Sequence, residues 1–132
     1  MNFSRYVGIP FLERGRTRAG ADCWGLVVLF YAGELGIVLP SYEERSTTRA
    51  ERATCAAIIS AAIAGAEPWA PVEKPAPGDV ILCETLRQPI HVGVVVDRRQ
   101  MLHVPAGGAS VIERFTSPEW AHTVRGFFRY AA

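Results

Sequence analysis

The sequence predicts an α+β fold in a single domain, residues 1–132: a central N-terminal helix carrying Cys23, packed on a mainly antiparallel sheet of five to six strands. Three observations predict it. Apolar side chains crowd more than one face between Cys23 and Leu35, as in a helix buried on all sides. The C-terminal half breaks into short β-branched or aromatic runs bounded by turn residues. Those runs lie too close together for parallel crossovers, which need a dozen or more residues, so their pairing is antiparallel.

In chain order, Met1 to Gly20 holds Gly8, Pro10, Gly15 and Gly20 among scattered arginines, an irregular lead-in with short structured pieces. Asp22 is placed to N-cap the central helix, and Gly36 suits the left-handed position at its end. A turn-rich stretch around Pro40 and Ser41 precedes a second helix, roughly Thr48 to Ala64, favoured by its alanine content and containing Cys55. Pro68 to Gly78, with four prolines, reads as an extended connector. Strands are expected at Asp79 to Cys83, Ile90 to Val96, Met101 to Val104, Ser110 to Phe115 and Gly126 to Tyr130. Ser117-Pro118-Glu119 has the N-cap, first-position proline and acidic first turn of a short helix before the last strand.

Fourteen basic and thirteen acidic side chains leave a net charge of +1, without the basic surplus on one face that nucleic-acid binding requires. The one dense basic stretch, Arg14 to Arg18, reads as a solvated loop. A hydrophobic fraction of 49% describes a folded globule, yet no apolar run reaches the ~20 residues of a membrane span, so no membrane insertion is expected. Three cysteines, Cys23, Cys55 and Cys83, show no paired spacing, which argues against a disulfide framework and for synthesis in a reducing compartment. Met1 to Gly8 lacks the charged-then-apolar layout of a secretory signal, so any action outside the cell needs another carrier.

The chemistry-bearing residues are Cys23, His91 and His103. A thiol in the first turn of a helix is favoured as thiolate by the positive end of the macrodipole. The adjacent Asp22 opposes this unless its carboxylate turns to cap helix amides, which is the expectation. A cysteine nucleophile also needs a base within hydrogen-bond reach, and the base needs a partner that fixes its tautomer. His91 shares a strand face with Gly93 and Val95, and Gly93 removes bulk beside the imidazole. A two-residue hairpin at Arg98-Arg99 would throw His91 and His103 onto opposite faces. A three-residue loop, Asp97 to Arg99, would pair Gly93 with His103 and make the two histidines diagonal neighbours on one face, about 7 Å apart. A cooperating pair therefore requires the odd loop or a bulge. Cys55 and Cys83 read as inert core thiols and His122 as a solvent-facing residue. Their spacings, with those of Cys23, His91 and His103, match no common zinc-ligand pattern, so no metal and no cofactor is expected.

In this order, Gly8-Ile9-Pro10-Phe11, Asp22-Cys23-Trp24-Gly25-Leu26-Val27, Pro77-Gly78-Asp79-Val80, His91-Val92-Gly93-Val94 and Leu102-His103-Val104 resemble the NlpC-type family of cysteine peptidases, papain-like cell-wall endopeptidases. The resemblance implies a papain-like fold with Cys23 as nucleophile, His91 as general base and His103 as the residue that orients it. It implies hydrolysis of peptidoglycan stem peptides between D-glutamate and the following diamino acid, with the Cys23 backbone N–H as one oxyanion donor. Asp22, Trp24 and Phe11 fall where substrate contacts are expected. Two departures stand out: Phe11 replaces a tyrosine common in cell-wall members, and Trp24 replaces the small residue usual after the cysteine.

These departures, with the missing secretory signal and wall-binding modules, look more like the branch carried on phage tails and gene-transfer-agent particles. That branch implies other tail-tip proteins as partners, and a path from bacterial cytoplasm during assembly to the particle tail. Two rival readings share the same residues: a catalytically silent structural tail-tip subunit, and an acyltransferase that passes the acyl group to an amine or alcohol.

Overall fold

A computed structural model of the chain describes residues 1–41, 68–86 and 90–131. The expected second helix at Thr48 to Ala64, with Cys55, lies outside the described residues. A 3₁₀ turn, Phe3–Tyr6, opens the chain and is followed by a two-stranded ribbon, β1 (Arg16–Thr17) and β2 (Gly20–Ala21). The central helix α1 (Cys23–Phe30) comes next and widens into a π-helical turn, Tyr31–Leu35. Gly36 stops it with φ 65°, in the left-handed region expected of a C′ glycine.

The remaining strands form one six-stranded sheet: β3 (Trp69–Val72), β4 (Val80–Cys83), β5 (His91–Val95), β6 (Gln100–His103), β7 (Val111–Arg114) and β8 (Val124–Tyr130). Their order is β3-β8-β4-β5-β6-β7, and every pairing is antiparallel. This is the α+β architecture read from the sequence, at the upper end of the expected strand number. The sheet gains β3 from the proline-rich stretch read as a connector. Pro71 is tolerated because β3 is an edge strand paired only with β8, where a missing N–H need not break a second ladder. Instead of a regular helix after Ser117, the Trp120 and Ala121 amides close a turn on the Ser117 carbonyl, followed by a 3₁₀ turn, Ala121–Thr123.

Side-chain alternation divides the core. Val80, Leu82, Val92, Val94 and Leu102 join Cys23, Trp24, Leu26, Val27 and Phe30 in one buried cluster, while Ile81, Cys83, Val95, Met101, Phe115 and Trp120 make a second. Among the strands, β5 packs most extensively against α1. The helix end is tied to the turn before β4 by the Tyr31 hydroxyl, which donates to the Gly78 carbonyl at 2.5 Å. That turn is in turn held to β8: Asp79, 3% exposed, accepts from Arg129 Nε and Nη2, each at 2.9 Å. No described helix is long and apolar enough to cross a membrane.

Candidate active site

Asp22 has extended backbone and its side chain accepts the Gly25 amide at 2.7 Å, so α1 begins with Cys23 as its first residue. The carboxylate thus caps the helix, as expected, but it also has two partners that sequence reasoning missed. Arg14, in the left-handed region at φ 60°, donates its backbone N–H to Asp22 Oδ2 at 3.0 Å. Arg16 Nη1 lies 2.8 Å from Asp22 Oδ1, with side-chain exposures of only 8% and 1%.

The reading of Arg14 to Arg18 as a solvated loop is corrected at Arg16. Its guanidinium is sunk against Asp22 and also donates to the carbonyls of Gly15 and Ser41. The consequence is electrostatic: the negative charge beside Cys23 is paired with the Arg16 cation and with the Gly25 and Arg14 amides, which reduces its opposition to a thiolate.

The imidazoles are positioned by register. Val94 pairs with Leu102 and Val95 with Met101, the alignment that follows from a three-residue loop at Asp97 to Arg99. Asp97 makes that loop. Its Oδ1 accepts the backbone N–H of Arg99 at 2.8 Å and of Gln100 at 2.9 Å, an Asx-type turn. Both histidines therefore emerge on one face, and His91 Nε2 lies 2.8 Å from His103 Nδ1. Gly93 leaves the room for this: a Cβ there would stand 2.9 Å from the Leu102 carbonyl oxygen and 3.1 Å from His103 Cβ.

Two further residues complete the cluster. His103 Nε2 is 2.7 Å from Glu113 Oε1 on β7. The Trp120 ring stacks on His91 with centroids 5.7 Å apart and meets His103 edge-on at 4.9 Å. Sequence reasoning missed both. Alternation on β7 would have put Glu113 on a common face with Val111, but the register that sets this face against His103 depends on the irregular Val104 to Ser110 connection.

Burial governs the electrostatics. Desolvation first, and the charge of His103 second, depress the His91 pKa to about 3, so this imidazole is neutral near pH 7. Desolvation likewise lowers His103, opposed by its hydrogen bond to Glu113 and by the charges of Glu113 and Glu119. Among the described residues, His91 Nδ1 is a buried ring nitrogen without a hydrogen-bond partner.

Cys23, His91 and His103 are each 0% exposed. Trp24 is 2% exposed and donates its indole N–H to the Pro40 carbonyl at 2.8 Å. Asp22 is 1% exposed. Phe11 is partly buried, packed on the helix-side cluster, with its amide donating to the Gly108 carbonyl at 2.8 Å. Cys83 is inert in character: burial pushes its thiol up to about 11, against the lowering effects of the Thr123 hydrogen bond and the Arg125 charge.

The model of the NlpC/P60 family matches residues 8–129. A search of curated proteins finds no match to the sequence. Among solved structures, the fold is similar to the NlpC/P60 domain of the peptidoglycan hydrolase SagA, at TM-score 0.63 and 15% identity over 96% of this chain and 92% of that one. It is also similar to an NlpC/P60 family protein from Bacillus cereus, at TM-score 0.67 and 20% identity, covering 98% of this chain but 38% of that one. A third likeness is to the P60 domain of an antigen from M. avium subspecies paratuberculosis, at TM-score 0.57 and 18% identity over 96% and 86% of the two chains. At these identities the structures speak for the fold, whereas the family match spans nearly the whole sequence: the chain belongs to the NlpC/P60 family.

Proposed function

We propose that this protein is a cysteine endopeptidase that hydrolyses peptidoglycan stem peptides at the D-glutamyl–diamino acid amide bond, with Cys23 as nucleophile, His91 as base and His103 as its orienting partner. The observation that carries the reading is the buried His91–His103 hydrogen bond, which engages Nε2 of His91 and leaves Nδ1 as its ring nitrogen without a hydrogen-bond partner. Cys23 supplies the other half. It heads α1, and α1 packs on β5, the strand that His91 begins. The proposal brings the sulfur to Nδ1 at that end of the strand.

His91, neutral near pH 7, accepts the thiol proton as sulfur attacks the carbonyl carbon. The resulting oxyanion is held by the Cys23 backbone N–H at the helix start, a donor type whose loss costs on the order of 100-fold or more in rate. The imidazolium then protonates the leaving amine, and water, deprotonated by the same ring, releases the acyl-enzyme. Phe11 supplies no hydroxyl, so a second oxyanion donor must come from elsewhere. Asp22 serves by fixing the helix start, and Trp24 by packing beneath it.

The family's solved members include a peptidoglycan hydrolase domain, which supports the substrate class. Carriage on a phage tail or gene-transfer-agent particle, with tail-tip partners, is the setting we infer from Phe11 and Trp24. The test is digestion of purified muropeptides by the wild-type chain and by Cys23→Ala, read by mass spectrometry. The reading expects a new free α-amine on the diamino acid and a free D-glutamyl carboxylate with the wild type only. Ligated products lacking the free acid would instead identify acyl transfer. A second reading, a catalytically silent structural subunit, is favoured by the complete burial of Cys23 and both imidazoles. It expects no product with either protein.

A further inference from the structure

Hydrogen bonding between His91 and His103 is by itself indifferent to direction. Either ring can donate: His91 Nε2–H to His103 Nδ1, or His103 Nδ1–H to His91 Nε2. The two arrangements keep the same 2.8 Å contact but leave opposite states at the far nitrogen of His91. In the first, Nδ1 carries a lone pair and can accept a proton. In the second, Nδ1 already carries the proton of the neutral ring and cannot act as a base.

We propose that Glu113 is a positioning residue that selects the first arrangement, so that a carboxylate on β7 sets the protonation pattern of His91 two hydrogen bonds away. A carboxylate only accepts, so Glu113 Oε1, 2.7 Å away, requires a proton on His103 Nε2. Neutral His103 is then bare at Nδ1 and must accept from His91 Nε2–H. Neutral His91 is in turn bare at Nδ1. The reverse arrangement would aim the Nε2 lone pair of His103 at a carboxylate oxygen.

When Cys23 Sγ gives its proton to His91 Nδ1, neither inter-residue hydrogen bond changes direction. The new imidazolium still donates through Nε2, and no proton need leave the chain of groups. Trp120 packs on both rings, neither of which is exposed to solvent. Glu119 also acts on His103 through its charge, but no hydrogen bond to a ring nitrogen is described for it, so it does not dictate a tautomer. The consequence for the thiol rests on the peptidase reading above; the tautomer assignment does not.

Long-range proton–nitrogen NMR correlation on the ¹⁵N-histidine-labelled chain near pH 7 reads the tautomers directly. Wild type is expected to show both rings protonated at Nε2. Glu113→Gln, whose amide oxygen still accepts, is expected to keep that pattern and Cys23 alkylation within a few-fold of wild type. Glu113→Ala and Glu113→Lys are expected to move the His91 proton toward Nδ1, with Cys23 alkylation slowed about ten-fold or more, the scale on which loss of an orienting partner acts elsewhere.

The Glu113 side chain is one-third exposed (34%), so these variants do not disturb the core, and a thermal melt checks that they fold. A His91 proton on Nδ1 in wild type, or an unchanged His91 tautomer in both Ala and Lys variants, would overturn the proposal. Correct tautomers in a chain that cleaves no muropeptide would sink the peptidase reading and leave this assignment standing.

Discussion

Asp22 does at least three jobs with one carboxylate: it caps the Gly25 amide, receives the Arg14 amide and pairs with Arg16. Removing it leaves a guanidinium that is 8% exposed without its counter-charge, and breaking one side of a buried pair costs about 3–5 kcal/mol. Asp22→Ala is therefore expected to lower unfolding free energy by that amount in urea denaturation, more than the ~1 kcal/mol of an exposed N-cap. The capping role was legible in the sequence because an Asp directly before an apolar helical run has few other uses. The Arg16 partnership was not, because it needs the Arg14 backbone in a left-handed turn that no glycine announces.

At the scale of elements, the hairpin between β5 and β6 decides whether the histidines meet. The sequence allowed two loop lengths, and the choice of three residues rests on Asp97 folding its carboxylate over the amides of Arg99 and Gln100. Gly93 then faces His103 so closely that any Cβ would press on the neighbouring strand. Gly93→Ala is expected to cost about 1–3 kcal/mol through overpacking and to disturb the His91–His103 bond, visible as changed imidazole proton shifts at unchanged helix content.

The order of strands was only partly readable. Alternating apolar runs reveal β4 to β8, since half-buried strands must alternate or run apolar. An edge strand containing Pro71 carries no such pattern, and β3 was hidden for that reason. Glu113 stayed hidden because its partner lies across a connection whose length sets no register.

For the molecule as a whole, two neutral imidazoles sealed in the sheet couple folding to pH. The His91 pKa is about 3 when folded and near 6.5 when unfolded, so between these values the unfolded chain binds a proton that the folded chain does not. Stability from this residue is complete above about pH 6.5 and falls with acidification, by up to about 1.4 kcal/mol per pH unit for one proton. The lowered His103 acts in the same direction. Urea denaturation from about pH 7 down to about pH 5 should show this loss, and His91→Phe should flatten it.

The α+β architecture and its residue alphabet were thus open to sequence reading, while the complete burial of Cys23 was not, because burial is a property of the assembled chain. The claim that Cys23 is an activated nucleophile is tested most directly by alkylating the three cysteines with iodoacetamide across a range of pH and mapping each by peptide mass. Cys23 is expected to be modified well below the pH at which Cys55 and Cys83 react, with Cys83 silent until strongly alkaline pH. A profile in which Cys23 reacts no earlier than the other two would contradict it.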